Sequence, residues 1–134
     1  MRVFVDTSAW VALYYRRDQA HARSVRFWRE LQRRPTRLVT TDYVFAEAVT
    51  LTRYRVGHAA ACGLGDIISQ SRVVDFAEVT TQVRTEAWEL FKKYDDKEFS
   101  FTDCTSFVVM RELDLTDAFA FDEHFRQFGF RLWP

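Results

Sequence analysis

Short apolar runs alternate with longer amphipathic segments along the whole chain, which is typical of strands separated by helices. Apolar runs predict strands at residues 2–5, 38–40, 72–76 and 117–121, with a short last strand at 130–133. The spacing of apolar residues predicts helices at 9–15, 19–33, 44–55, 59–69, 79–93 and 102–113. This order predicts an α/β fold with three α/β/α layers, in which helices flank a short, mainly parallel sheet of four or five strands.

Cap and turn residues mark several boundaries between these elements. Ser8 is predicted to cap the helix at 9–15 and Asp42 the helix at 44–55, because short polar side chains accept hydrogen bonds from the free N–H groups of a helix start. Pro35 ends the second helix, and the polar stretch YDDKEFS is predicted to be a loop.

The composition narrows the class of protein. The chain has 134 residues, of which 48% are hydrophobic and 16% aromatic, so we expect one domain, residues 1–134, with a packed core. No apolar stretch reaches the roughly eighteen residues of a membrane span, and Asp6 comes too early for a signal peptide. The two cysteines, Cys62 and Cys104, form no CxxC pair. We therefore expect a cytoplasmic protein with no membrane partner.

Positive charge is concentrated in the first half of the chain, although the formal net charge is zero. Residues 1–67 contain eleven Arg or Lys against six Asp or Glu. Most of the excess consists of Arg16, Arg17, Arg23, Arg26, Arg29, Arg33, Arg34 and Arg37. Guanidinium groups donate paired hydrogen bonds to phosphate. These arginines are therefore interpreted either as a nucleic-acid-binding surface or as an ordinary solvated helix face.

Four carboxylates occupy positions that suggest chemistry. Asp6 and Asp122 directly follow predicted strands, and functional residues collect beyond the carboxyl ends of parallel strands. Glu47 in VFAEAVTL and Asp103 in FSFTDCTSFVV have apolar neighbours, where an ionised carboxylate is costly unless it is paired or binds a metal. Each also has an ordinary alternative: helix caps for Asp6 and Asp122, a solvent-facing residue for Glu47, and a helix-start acid for Asp103.

The segments that carry these acids resemble those of the PIN-domain ribonucleases, and most closely the VapC-type toxins of bacterial and archaeal toxin–antitoxin pairs. The matching segments are VFVDTSAWVALYY, TTDYVFAEAVTL, FSFTDCTSFVVMREL and AFAFDEHFRQFGFRL, in the family's order and at its usual separations. By this resemblance the family's acidic quartet is matched by Asp6, Glu47, Asp103 and Asp122. Its accessory hydroxyl positions are matched by Thr7 or Ser8, and by Ser100.

The resemblance implies a metal-dependent endoribonuclease that acts as the toxin of a type II toxin–antitoxin system. Clustered carboxylates either keep protons or bind divalent cations, and Mg²⁺ and Mn²⁺ prefer carboxylate and water oxygens. Asp6, Asp103 and Asp122 are the expected ligands, directly or through water, and the ion would activate water for attack on phosphorus. Glu47 is expected to orient or deprotonate that water, or to be a further metal ligand.

The hydroxyls and the nearby histidine have lesser expected roles. Thr7 and Ser100 would steer water molecules or a substrate phosphate. His124 lies two residues beyond Asp122, at the edge of the site, and is expected to be a surface or packing residue rather than a ligand.

The resemblance also implies an RNA substrate, a cognate antitoxin protein and a homodimer. Tyrosines that are candidates to stack on unpaired bases, or else core residues, are Tyr14, Tyr15, Tyr43 and Tyr54. The antitoxins of the family usually occupy a groove between the early helices. Candidate segments for that groove and for a dimer face are WVALYYRR and AAACGLGDII, in which Trp10, Tyr14 and Tyr15 are either interface anchors or ordinary core residues.

Two other functions remain open at this point. A haloacid-dehalogenase-like phosphohydrolase also begins with a strand ending in Asp, but that class needs a second Asp where this chain has Ser8. A PIN-like module that binds nucleic acid or protein without cleaving it has the same residue pattern as the enzyme. No P-loop is present, which argues against nucleotide-driven function.

Overall fold

The protein folds around a sheet of five parallel strands, and the computed structural model describes all 134 residues. The strands are β1 (Arg2–Val5), β2 (Arg37–Thr41), β3 (Val74–Ala77), β4 (Asp117–Phe119) and β5 (Arg131–Trp133). Their order across the sheet is β3-β2-β1-β4-β5. The central strand is therefore β1. The strands β2 and β3 lie on one side of it and β4 and β5 on the other, so the switch point of the sheet lies between β1 and β4.

Seven helices flank this sheet and complete the predicted α/β/α architecture. They are α1 (Thr7–Tyr14), α2 (His21–Leu31), α3 (Asp42–Arg55), α4 (His58–Gln70), α5 (Thr81–Lys93), α6 (Phe101–Glu112) and α7 (His124–Phe128). The predicted fold class is confirmed, and most element boundaries differ from the predicted ones by one or two residues. None of the helices has the length and apolar character that a membrane span requires.

The predicted cap of the first helix is wrong. Helix α1 begins at Thr7, so Ser8 lies inside its first turn. The hydroxyl of Ser8 donates to Asp6 Oδ2 at 3.2 Å and accepts from the backbone N–H of Phe121 at 3.0 Å. Ser8 therefore connects the end of β1 with the segment after β4, a contact between residues far apart in sequence.

The predicted cap of the third helix is also wrong, for a similar reason. Thr41, the last residue of β2, caps α3 by accepting the backbone N–H of Val44 at 3.0 Å. Asp42 lies in the first turn of α3, and its Oδ1 accepts the N–H of Val79 at 2.9 Å. The carboxylate thus holds the segment after β3, while the neighbouring threonine fixes the start of the helix.

The core is rich in aromatic side chains, and α6 carries its centre. The fully buried Phe107 contacts Phe99, Phe125, Phe128 and Phe130 with ring centroids 4.3 to 5.9 Å apart. These rings join α6 to α7 and to the segment before β5. The cluster consequently sets the position of the two segments that carry Asp103 and Asp122.

We expect Phe107→Ala to reduce the free energy of unfolding by about 3–5 kcal/mol, because it removes a fully buried ring and leaves a cavity. Phe91→Ala is the matched control, since that ring is 40% exposed and its removal should cost about 1 kcal/mol. Urea denaturation followed by circular dichroism measures both changes. Equal losses for the two variants would contradict a core centred on Phe107.

Candidate active site

Two of the acids meet because β1 and β4 are direct neighbours. The strands pair in parallel, with Phe4 opposite Ala118 and Val5 opposite Phe119. Asp6 follows β1 immediately, and its backbone N–H donates to the carbonyl of Phe119 at 3.0 Å. Asp122 follows β4 after a short turn. The carboxyl edge of the sheet therefore brings the two aspartates together at its switch point, where ligand sites of parallel sheets form.

Asp103 reaches the same edge from the first turn of α6. The Oγ of Ser100 accepts the N–H of Asp103 at 2.9 Å, and Asp103 Oδ2 accepts the N–H of Ser100 at 2.9 Å. This reciprocal capping box fixes the start of the helix. Asp103 is only 6% exposed, so its role as a helix-start acid coexists with a buried position near the other carboxylates.

Glu47 arrives from the exposed side of α3. Its neighbours Val44 and Ala48 are fully buried, so the helix packs on the sheet through its other face. The side chain of Glu47 is exposed, as its ordinary alternative required, but this side of α3 borders an open cavity. Glu47 thus faces water and the other acids at the same time.

One cavity of about 320 Å³ contains all six residues that the sequence predicted for the site. Its lining consists of Asp6, Thr7, Ser8, Val11, Asp18, Glu47, Leu51, Arg55, Ser100, Asp103, Phe121, Asp122 and His124. Helices α1, α3, α6 and α7 and the segments that follow β1, α1 and β4 contribute to it. Hence the acids that are scattered in sequence share one solvent-accessible space.

The electrostatics of Asp6 reflect this crowding. Burial raises the pKa of Asp6 well above its usual range, and the nearby carboxylates of Asp122 and Asp103 raise it further. A hydrogen bond from the backbone of Thr7 lowers the pKa, and Glu47 adds a smaller increase. In the absence of a cation, the buried acid therefore tends to keep its proton.

The pKa of Asp103 is also raised by burial and by a neighbouring acid, but two neighbouring groups lower it. Burial raises its pKa, the N–H of Ser100 lowers it, Asp122 raises it and His124 lowers it. The Nδ1 of His124 lies 2.7 Å from Asp103 Oδ2 and 3.7 Å from Asp122 Oδ1. The adjacent thiol of Cys104 is also affected, since burial and Asp103 raise its pKa to about 11. A nucleophilic role for this thiol is therefore disfavoured.

The donor set fits a hard divalent cation. Ligand atoms of Asp103, Asp122 and His124 all lie within 4.8 Å of one another. The Oγ1 of Thr7 is buried and has no hydrogen-bond partner, although it lines the same cavity. Carboxylate and hydroxyl oxygens are donors that Mg²⁺ and Mn²⁺ accept, so an ion with its water shell would satisfy both the charges and the orphaned hydroxyl.

Three cavity residues were missed or undervalued in the sequence. His124 was expected to be a packing residue; its ring does pack on Phe99, with centroids 5.7 Å apart, but its Nδ1 also bonds Asp103. Asp18 follows α1 and gave no local signal. Arg55 had a signal that was overlooked, because it lies eight residues beyond Glu47 and such spacing places both on one helix face.

The candidate stacking tyrosines have different environments. Tyr54 is 81% exposed, whereas Tyr43 is half-buried and packs on Phe101 at 6.4 Å. Both line a cleft that also contains Glu47 and therefore adjoins the acidic cavity. Tyr14 and Tyr15 are half-buried, and neither lines this cleft.

A second groove, lined almost entirely by apolar side chains, lies between α1, α2 and α4. Trp10 is only 4% exposed and donates its Nε1–H to Thr40, so it is mainly a core residue at the groove floor. Tyr14 and the exposed Ile67 line the groove walls. A Cβ at Gly63 would overlap the hydroxyl of Tyr14, so glycine at this position permits the ring to lie against α4.

A family model for the PIN domain matches residues 3–131, and the chain therefore belongs to the PIN-domain family. Within that family it is homologous to the VapC toxins. It is 39% identical over 128 residues to the 23S rRNA-specific endonuclease VapC20 of Mycobacterium tuberculosis, covering 96% of this chain and 95% of that protein. It is 30% identical over 117 residues to a VapC ribonuclease of Archaeoglobus fulgidus, covering 86% and 74%.

Solved structures agree with this assignment. The crystal structure of VapC20, described as a sarcin–ricin loop cleaving toxin, has a TM-score of 0.89 at 38% identity, covering 96% of this chain and 95% of that one. VapBC2 from Rickettsia felis, bound to a DNA fragment from the promoter, shares the fold at 12% identity, with a TM-score of 0.74 and complete coverage of both chains. Membership of the PIN family excludes the alternative function of a haloacid-dehalogenase-like phosphohydrolase.

The raised pKa values predict how stability depends on pH. The folded state binds protons on Asp6 and Asp103 more tightly than the unfolded chain does. The two aspartates have a pKa of about 4 in the unfolded chain and a higher pKa in the folded protein. In the metal-free protein, their contribution to the free energy of unfolding therefore falls as the pH rises from about 4 through the folded pKa values. We expect Asp6→Asn to be stabilising relative to the native protein, with a difference that grows as the pH rises above about 4.

Chemical denaturation in EDTA at several pH values measures this difference. The control is Asp114→Asn, the same substitution at an exposed residue after the far end of α6, whose positive φ of 54° asparagine tolerates. Its difference from the native protein should not grow in this way. A flat profile for Asp6→Asn would contradict a raised pKa of Asp6 in the folded protein.

Proposed function

We propose that the protein is a metal-dependent endoribonuclease and the toxin of a type II toxin–antitoxin pair. The observation that carries the proposal is the convergence of Asp6, Glu47, Asp103 and Asp122 in one cavity at the switch point of the sheet. Homology to the VapC toxins supports the reaction class, because those relatives are described as ribonucleases and endonucleases.

We assign roles to the acids from their positions. Asp6, Asp103 and Asp122 would hold one or more divalent cations, directly or through water, because Asp6 and Asp103 are buried and both of their pKa values are raised by the nearby charge of Asp122. Glu47 would orient water or accept its proton, or else complete the metal site, because it is exposed to the open side of the cavity. The backbone of Ser100 keeps one oxygen of Asp103 occupied, which fixes the direction of the carboxylate.

The expected cofactor is Mg²⁺ or Mn²⁺. A bound ion of this kind supplies Lewis acidity that makes water more acidic and stabilises charge on phosphate oxygens. The chain itself supplies the oxygen donors, the hydroxyl of Thr7 that lacks a protein partner, and the hydroxyl of Ser8 that holds Asp6. No side-chain nucleophile is required, and neither serine of the cavity, Ser8 or Ser100, is hydrogen-bonded to a histidine.

RNA is the proposed substrate, with a structured ribosomal loop as the first to test. VapC20, the relative with 39% identity, is described as specific for 23S rRNA and as cleaving the sarcin–ricin loop. The exposed ring of Tyr54 beside Glu47 is suited to stacking on an unpaired base. Exposed arginines of α2, including Arg23 and Arg26, provide positive charge that attracts the phosphate backbone of RNA.

We expect Asp103→Asn to reduce the rate of RNA cleavage at least about 100-fold, because it removes a negative charge from the cation site while the capping geometry survives. Mapping of RNA ends after incubation with Mg²⁺ or Mn²⁺ measures cleavage, and EDTA should abolish it. Asp114→Asn is the matched control and should retain full activity.

The alternative function is a module that binds RNA without cutting it. It would be favoured if the native protein bound RNA but left it intact with either metal, or if Asp103→Asn and the native protein produced the same RNA ends.

An antitoxin is the proposed protein partner, and the apolar groove between α1, α2 and α4 is its proposed docking surface. The groove has a volume of about 230 Å³, and ten of its eleven lining residues are hydrophobic. An apolar face of a helix or an extended segment is the chemistry that fits it. The homodimer and the cytoplasmic location expected from the sequence stay predictions.

We expect Ile67→Glu to weaken antitoxin binding at least about tenfold, because a charge would be buried in the apolar contact. The partner to use is the protein encoded beside this one, and isothermal titration calorimetry measures the affinity. Ala59→Glu is the control, since it adds the same charge to an exposed position of α4 outside the groove. Equal weakening by both variants would place the antitoxin elsewhere.

A further inference from the structure

Arg55 is the one Arg or Lys among the residues that line the acidic cavity. The same cavity contains five carboxylates, since Asp18 joins the four acids already described. A substrate phosphate that approaches this cavity meets a concentration of negative charge, which bound cations neutralise only in part. A positive side chain at the rim therefore attracts the phosphate and offsets part of this repulsion.

The geometry of α3 directs Arg55 towards the site. Glu47, Leu51 and Arg55 are spaced by four residues, and all three line the cavity, so they form one stripe along the helix. The Cα atoms of Glu47 and Arg55 are about 12 Å apart along the axis. Helical side chains lean towards the N-terminus and cover the preceding turn. This general tendency and the shared lining place Arg55 at the edge of the cavity, on the same stripe of α3 as Glu47.

Arg55 is also free of protein partners. It forms no ion pair and no side-chain hydrogen bond, although Glu47 and Asp18 line the same cavity. Arg37 shows the contrast, because its guanidinium pairs with Asp75 and bonds the carbonyl of Arg72 at 2.8 Å. The N–H donors of Arg55 are thus available to a ligand.

We propose that Arg55 binds a phosphate of the RNA strand next to the bond that is cut, and so holds the strand against the acidic cavity. This inference rests on the ribonuclease function proposed above. The planar guanidinium donates two parallel hydrogen bonds to phosphate oxygens, and it keeps its charge at every relevant pH. Arg55 is accordingly a substrate-positioning residue that contributes to binding and leaves the chemistry to the acids.

Arg53 provides a control within the same helix turn. Both arginines are exposed and lie in the last turn of α3. Arg53, however, lines a separate cleft towards α4, with Phe45 and Val49. Arg53→Gln and Arg55→Gln therefore remove the same charge from the same surface, but only the second removes it from the cavity.

The test measures binding and turnover separately. Binding uses a fluorescein-labelled RNA hairpin with the sarcin–ricin loop sequence, followed by anisotropy in Mg²⁺ with Asp103→Asn present in every variant so that the RNA is not cleaved. We expect Arg55→Gln to weaken binding about tenfold and to lower the slope of log affinity against log salt by about one. Arg53→Gln should change the affinity by less than about twofold, and Arg55→Lys should lie between the native residue and glutamine.

Turnover of the same hairpin, measured with the native acids, should show a higher KM for Arg55→Gln with kcat within about threefold of the native value. The unfolding midpoint, and its increase on addition of Mn²⁺, should not fall. Equal effects of Arg53→Gln and Arg55→Gln on binding, or a loss of kcat with unchanged KM, would overturn the role of Arg55. Failure of the native protein to cleave any RNA would instead overturn the proposed function. The binding experiment would still show whether Arg55 contributes to RNA affinity.

Discussion

The mutual repulsion of carboxylates at the buried end of β1 is the constraint on which the site depends. Asp6 follows the central strand and is 3% exposed, and the charges of Asp122 and Asp103 raise its pKa beyond the effect of burial. The parallel pairing of β1 with β4 brings Asp122 close to Asp6, and the first turn of α6 adds Asp103. This arrangement costs stability in the metal-free protein, and a divalent cation bound between the carboxylates would offset that cost.

The rest of the fold restrains the acids rather than separating them. The capping box between Ser100 and Asp103 fixes one carboxylate, and the hydroxyl of Ser8 holds another while it bonds the segment after β4. Behind them, the aromatic cluster around Phe107 joins α6 to α7. Local hydrogen bonds therefore set the direction of each acid, and the core sets the distances between the elements that carry them.

Sequence patterns predicted those features that depend on local order. Strand-end aspartates such as Asp6 could be found because parallel strands end at one edge, and the fold class followed from the alternation of elements. The caps Ser8 and Asp42 were misassigned because both side chains bond segments that follow other strands. Asp18 could not be placed in the cavity until the path after α1 was known, whereas the spacing of Arg55 from Glu47 on α3 already indicated a shared helix face.

Helix α1 separates two surfaces of different chemistry. Val11 borders the acidic cavity, while Trp10, Leu13 and Tyr14 border the apolar groove. A partner in the groove therefore lies one helix away from the acids. The residues that line the groove are therefore distinct from the residues that line the acidic cavity.

The contact between Gly63 and Tyr14 gives this separation an evolutionary consequence. A single methyl group at position 63 would push the tyrosine ring away from α4 and reshape the groove, far from any of the acids. One codon change of this kind would alter the surface proposed for the antitoxin without changing any residue of the acidic cavity. A toxin and an antitoxin that met at this groove would then have to change together.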